Sequence, residues 1–232
     1  MIYNSLEELK NMPDEFWQTP GQILKVHDDR GIKPENIEFL SRPTEHVDSI
    51  ELGEKIAAKL IKTLDKLNGH KRKGLALTAN QIGIPASVFI TNINGILYFI
   101  NPDILDFSTK QIPFNESCLS IPNKQAQIQR HVKIKIKADN LEEPIWFGVD
   151  TISNDKDYGQ LLEAITIQHE FNHTHGLLMT DLADTLEPIV NENKIGRNEK
   201  IDILKDGKTQ QIKYKHFDRY KKEGWTAANG ST

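Results

Sequence analysis

Apolar residues recur at helical spacing over residues 49–68: Ile50, Leu52, Ile56, Leu60, Ile61, Leu64 and Leu67 gather on one face. This predicts an amphipathic helix, stopped by Gly69. Two β-rich runs follow, ASVFIT and ILYFI, on either side of Asn94-Gly95; both turn residues tolerate positive φ, so the stretch predicts a hairpin. In QIQRHVKIKIKAD the period changes to two. Ile128, Val132, Ile134 and Ile136 share one face and Lys133, Lys135 and Lys137 the other, which predicts one half-buried strand with solvated lysines. PIWFGVD predicts a further strand and TISNDKDYG a polar loop.

Helical spacing returns in QLLEAITIQHEFNHTHG. Leu162, Ile165, His169 and His173 fall three or four apart on one face, apolar at its start and imidazole-bearing at its end, with Gly176 as the stop. Residues 1–48 carry several Pro and Gly and no long periodicity, so they predict a short helix near Ser5–Met12 followed by irregular chain. After Pro188 the chain turns polar. KIDILKDGKTQQIKYKH predicts two strands around Asp206-Gly207, and a charged tail follows. Residues 1–187, including the 1–48 lead-in, are therefore expected as one domain, with 188–232 as a small appendage, a β-hairpin plus tail.

Composition narrows the classes. With 232 residues, 38% hydrophobic and 27% charged, the chain suits an ordinary globular protein. A net charge of −4 gives no global attraction to DNA or membrane. The longest apolar runs, such as GILYFI, fall far short of the ~20 residues that span a bilayer. A single cysteine excludes an internal disulfide, and MIYNSLEELKNMPDEFW has neither a basic leader nor an apolar core, so a cytoplasmic location is expected, in a bacterial-type or host cytosol.

HEFNH, residues 169–173, matches H-E-x-x-H. Histidines at i and i+4 of a helix project side by side and can share one metal ion, and the intervening Glu170 can reach a water beside it. Two ligands leave the set short of the usual three. In the metzincin pattern the third histidine would stand at Met179. Glu187, near the end of its segment, is a weak candidate. Cys118, in NESCLSIP, is another, since thiolate is a strong ligand for Fe, Zn, Co or Ni. A lone cysteine is more often a small buried hydrophobe.

Three segments in order resemble the motifs of peptide deformylases: GLALTANQ (Gly74–Gln81), ESCLS (Glu116–Ser120) and QHEFNHTHG (Gln168–Gly176). The resemblance spans about residues 40–186 and implies an α+β fold, with mixed and antiparallel strands packed around a central metal-bearing helix. It implies metal-dependent removal of the N-formyl group from the formyl-methionine of new polypeptides. Cys118, His169 and His173 would be the metal ligands, and Glu170 the general base. Gln81 and the N–H of Leu119 would stabilise the oxyanion. Glu116 and Arg130 would brace the cysteine strand. Ala76, Leu77, Ser117, Leu162 and Ile165 are expected near the substrate, although Leu162 and Ile165 are equally what any core-facing helix carries. The family's ion is Fe²⁺, with Zn²⁺, Ni²⁺ or Co²⁺ able to replace it.

The sequence departs from the family pattern at Ala76 and Ser117 (glycine in the family), Thr78 (alanine), Asn172 (aspartate) and Thr174 (leucine). These changes motivate one alternative, a formyl-peptide binding protein with impaired catalysis; a second is another H-E-x-x-H metallohydrolase that uses the same metal set. Glu170 argues against the first, because binding needs no base; Met179 argues against a metzincin. The expected partners are nascent formylmethionyl peptides. The basic run KYKHFDRYKK reads first as a solvated face, with ribosomal RNA as the alternative contact. His27, His46, His70, His131 and His216 show no ligand spacing and are expected at the surface, and His175 off the ligand face.

Overall fold

The computed structural model describes residues 1–69, 74–183, 186–188, 200–205, 208–213, 216, 219–220 and 223–227. The chain divides into two compact units, Met1–Pro188 and Ile189–Thr232. In chain order the first unit holds helix α1 (Asp14–Gln18), a ribbon of β1 (His27–Asp28) and β2 (Gly31–Ile32), α2 (Pro34–Leu40) and the long α3 (Ile50–Gly69). Strands β3 (Ala76–Thr78), β4 (Val88–Asn92), β5 (Ile96–Ile100), β6 (Asp103–Phe107), β7 (Gln111–Cys118), β8 (Ile121–His131), β9 (Lys133–Lys137) and β10 (Ile145–Gly148) follow. Helix α4 (Asp155–Thr174), the short α5 (Met179–Leu182) and β11 (Glu187–Pro188) complete it. The second unit holds a sheet of β12 (Lys200–Lys205), β13 (Lys208–Lys213) and β14 (Thr226–Ala227), with β12 in the centre. The expected turn at Asp206-Gly207 lies outside the described residues.

Among the described residues the first unit holds, besides the β1–β2 ribbon, three three-stranded antiparallel sheets, in the orders β3-β4-β5, β10-β9-β6 and β11-β8-β7. Strand β4 explains the continuous apolar run VFI. Val88 and Ile90 face the cluster that contains Ile56, Leu60 and Leu64 of α3, while Phe89 faces the cluster that contains Ala164 and Ile167 of α4. A strand covered on both faces loses the apolar–polar alternation. Helix α4 is therefore a central element.

Its start is set by Asn154, whose side chain accepts from Asp157 N–H at 3.1 Å, with Asp155 and Asp157 in the first turn where the helix dipole favours acids. Its end is set by Gly176, at φ +71°. A Cβ there would lie 2.6 Å from the carbonyl oxygen of Ser41, so close chain approach as well as backbone conformation demands glycine.

Two expectations need correction. The helix expected near Ser5–Met12 is a single 3₁₀ turn, Leu6–Leu9, and the rest of the lead-in is ordered. Tyr3, Leu6, Leu9 and Trp17 are buried against α3 and the β3-β4-β5 sheet. Short elements of this kind are held by tertiary packing, which leaves no periodic signal. The strand expected across 127–139 is two strands, β8 and β9, divided at Val132. Gln168 of α4 grips the junction, accepting from His131 N–H (3.1 Å) and donating to its carbonyl (2.9 Å). Ala126, Ile128, Arg130, Val132, Ile134 and Ile136 are all buried, so the period of two runs unbroken across the exchange of partner strands.

Candidate metal centre

The last two turns of α4 bring His169, Glu170 and His173 against the end of β7. Strand alternation puts Glu116 and Cys118 on one buried face and turns Ser117 outward to solvent. The Cys118 sulfur, one nitrogen of His169 and one of His173 lie within 4.8 Å of one another. Cys118 Sγ is 3.3 Å from His173 Nε2. His169 Nδ1 is engaged by Glu116 Oε2 at 2.8 Å, which leaves its Nε2 as the available donor. His173 Nδ1 is buried without a hydrogen-bond partner among the described residues. One sulfur and two imidazole nitrogens make a soft, neutral-to-anionic set that suits a borderline divalent ion.

Electrostatics prepare the set. Burial pushes the Cys118 thiol up, but His173 and His169 outweigh it and hold the group well below the ordinary thiol value, toward thiolate. Burial pushes His169 down; Cys118 and Glu116 reverse this and hold it well above the usual imidazole value. Glu116 is driven up by burial and down more strongly by Arg130 and His169, to about 2. Arg130 donates from Nε to Glu116 Oε1 (2.5 Å) and from Nη2 to Oε2 (2.9 Å). With its amide turned to match, Asn172 Oδ1 accepts from Arg130 Nη1 (2.8 Å) and Nη2 (3.1 Å). Glu170 is raised by burial, against the pull of His169, His173 and Thr78.

The remaining expected residues fall around this cluster. Gln81 accepts from Thr78 N–H at 2.9 Å, and its Nε2 points to Ser120 Oγ (3.2 Å) and Cys118 Sγ (3.5 Å). Leu119 sits in the tight turn between β7 and β8, and its N–H donates to no partner among the described residues. The lead-in reaches this neighbourhood, with Leu24 N–H on Gln81 O (2.7 Å) and Val26 N–H on Ser120 O (2.8 Å). Ala76 and Leu77 are buried in β3, Leu77 within the main core. Ile165 is buried with Val132 and Leu161; Leu162 is half-buried. His46, His175 and His216 are exposed, His27 and His131 half-buried, and His70 lies outside the described residues. Thr78 and Asn172 were visible in the sequence as motif departures, but nothing there named their partners.

The sequence model of the polypeptide deformylase family matches residues 23–188. The chain belongs to the polypeptide deformylase family. Among deformylase relatives, that of Aquifex aeolicus is 32% identical over 153 residues, covering 62% of this chain and 81% of its own. That of Clostridium botulinum is 34% identical over 131 residues, covering 55% and 82%. The crystal structure of the Thermotoga maritima deformylase superposes with a TM-score of 0.56 at 25% identity, over 72% of this chain and 99% of that one. The α+β deformylase fold is thus present, and the family match begins at residue 23, well before the first motif at Gly74. The family match thus takes in part of the lead-in, residues 23–48. Among the described residues, no helix is long and apolar enough to cross a membrane.

Proposed function

We propose that the chain hydrolyses the N-formyl group of formyl-methionyl polypeptides, releasing formate and a free amine. The observation that carries this is the convergence of Cys118, His169 and His173 within 4.8 Å beside a buried Glu170, in a chain of the deformylase family. Cys118, His169 and His173 hold one divalent metal ion, Fe²⁺ by preference, with Zn²⁺, Ni²⁺ or Co²⁺ able to replace it. When bound, such an ion acidifies water and polarises a carbonyl.

The protein's own groups do the rest. Glu170 takes a proton from the attacking water and returns it to the leaving amine nitrogen as the formyl C–N bond breaks. Gln81 Nε2 and Leu119 N–H donate to the oxygen that gains negative charge. Glu116 and Arg130 hold β7 and orient His169. Cys118, engaged as a ligand, is not the nucleophile. Ala76, Leu77, Ser117, Leu162 and Ile165 are proposed around the methionine; the exposure of Ser117 fits a place on the peptide side, and the core burial of Leu77 and Ile165 fits a supporting role.

Residues 1–187 make up the catalytic domain, and 188–232 are an appendage whose basic residues are a candidate contact for ribosomal RNA in the cytoplasm. Co-sedimentation with ribosomes across a salt series tests that contact; binding that ignores salt would count against it. For the reaction, anaerobically purified protein is assayed for formate release from formyl-Met-Ala-Ser. Release should stop on chelation and return with ferrous iron. A fully metal-loaded protein that releases no formate would sink the proposal.

A further inference from the structure

Thr78 stands where the first deformylase-like motif carries alanine. It is fully buried in β3, and its hydroxyl lies 2.6 Å from Glu170 Oε2 and 3.3 Å from the Glu170 carbonyl oxygen. A hydroxyl has one proton to give, and the shorter contact, to a carboxylate, is the stronger. Thr78 is β-branched in extended backbone (φ −99°, ψ 150°), which restricts its χ1, so the Oγ is placed before Glu170 meets it. Its backbone N–H meanwhile fixes the Gln81 amide by holding Oε1, which directs Nε2 toward Cys118 and Ser120.

From this geometry we infer that Thr78 is a positioning residue for the reaction: its hydroxyl pins Glu170 Oε2 and leaves Oε1 as the oxygen that carries the proton. Oε1 has no hydrogen-bond partner among the described residues, whereas Oε2 already has a donor. An alanine at 78 would offer the backbone N–H but not the hydroxyl. Both carboxylate oxygens would then be free to turn, and the proton-carrying orientation would be one of several. The consequence is a device that trades freedom of Glu170 for a fixed division between its oxygens. It rests on the deformylase reading of Glu170.

The test uses the full metal-loaded chain. Thr78→Val keeps the shape and removes the hydroxyl; Thr78→Ser keeps the hydroxyl. A lost bond to a charged group typically costs a factor of about ten or more. Thr78→Val should lower kcat about ten-fold with KM within about two-fold, and Thr78→Ser should stay within about two-fold of the parent on both. Metal per chain should not change in either variant. A crystal structure of Thr78→Val should show Glu170 in more than one rotamer. A Thr78→Val enzyme with the parent's kcat, or a Thr78→Ser enzyme as impaired as Thr78→Val, would overturn the inference. If the parent itself releases no formate, the deformylase reading fails and takes the inference with it; an active parent with an indifferent Thr78→Val variant defeats the inference alone.

Discussion

Glu116 Oε2 accepts a hydrogen bond from His169 Nδ1 at 2.8 Å, from one end of the buried pair that Glu116 forms with Arg130. The contact occupies Nδ1 and so leaves Nε2 as the nitrogen available to a shared ion. Glu116→Gln keeps the shape and weakens the acceptor. Metal affinity should fall about 10- to 100-fold, read by competition with a chromogenic chelator. Unchanged affinity would mean that Glu116 braces the strand and does nothing for the ligand.

Arg130 forms a two-bond ion pair with Glu116, and both side chains are about 5% exposed. Removing Arg130 leaves the buried Glu116 with His169 as its remaining ion-pair partner among the described residues. Arg130→Met should cost about 3–5 kcal/mol in urea unfolding of the metal-loaded protein. A loss below about 1 kcal/mol would show that water reaches Glu116 and screens it.

Much of this site could be read from sequence, and the reason is local. His169, Glu170 and His173 are fixed relative to one another by a single helix, and Glu116 and Cys118 by a single strand, so spacing alone orients them. What spacing cannot give is contact across the chain. Thr78 meets Glu170 over 92 residues, and Leu24 meets Gln81 from a segment with no periodicity. The outward turn of Ser117 follows from alternation once Cys118 is known to be buried, but which face of β7 is buried depends on where α4 packs. The break at Val132 left the period of two intact, so the pattern could not reveal it.

Glu163 offers a test of the fold away from the centre. It is buried on α4, accepts from Thr91 Oγ1 at 2.5 Å and from Asn94 N–H and Nδ2 at 3.2 and 3.3 Å, and so ties the β4–β5 turn to the helix. Burial raises its pKa, only partly offset by these donors. The native state thus holds the proton more tightly than the unfolded chain, and stability from this group is present at low pH and lost as pH rises from the ordinary carboxylate range through the raised native value. Relative to Glu163→Gln, the parent should lose stability over that rise, as read in urea melts at stepped pH. A difference that stays flat would contradict the sign.

Gln81→Ala removes a donor proposed for the oxyanion. The loss should be about 10²–10³ in kcat with little change in metal content. A fall confined to KM would reassign Gln81 to substrate binding.

In the proposed reaction Glu170 moves the proton beside a metal ion held by Cys118, His169 and His173. The most direct measurement is formate release from formyl-Met-Ala-Ser by the metal-loaded parent and by Glu170→Ala, with metal per chain determined on the same samples. One metal per chain is expected in both, with a loss of at least about 10² in turnover for the variant. Turnover that survives Glu170→Ala with the metal still bound would contradict that role.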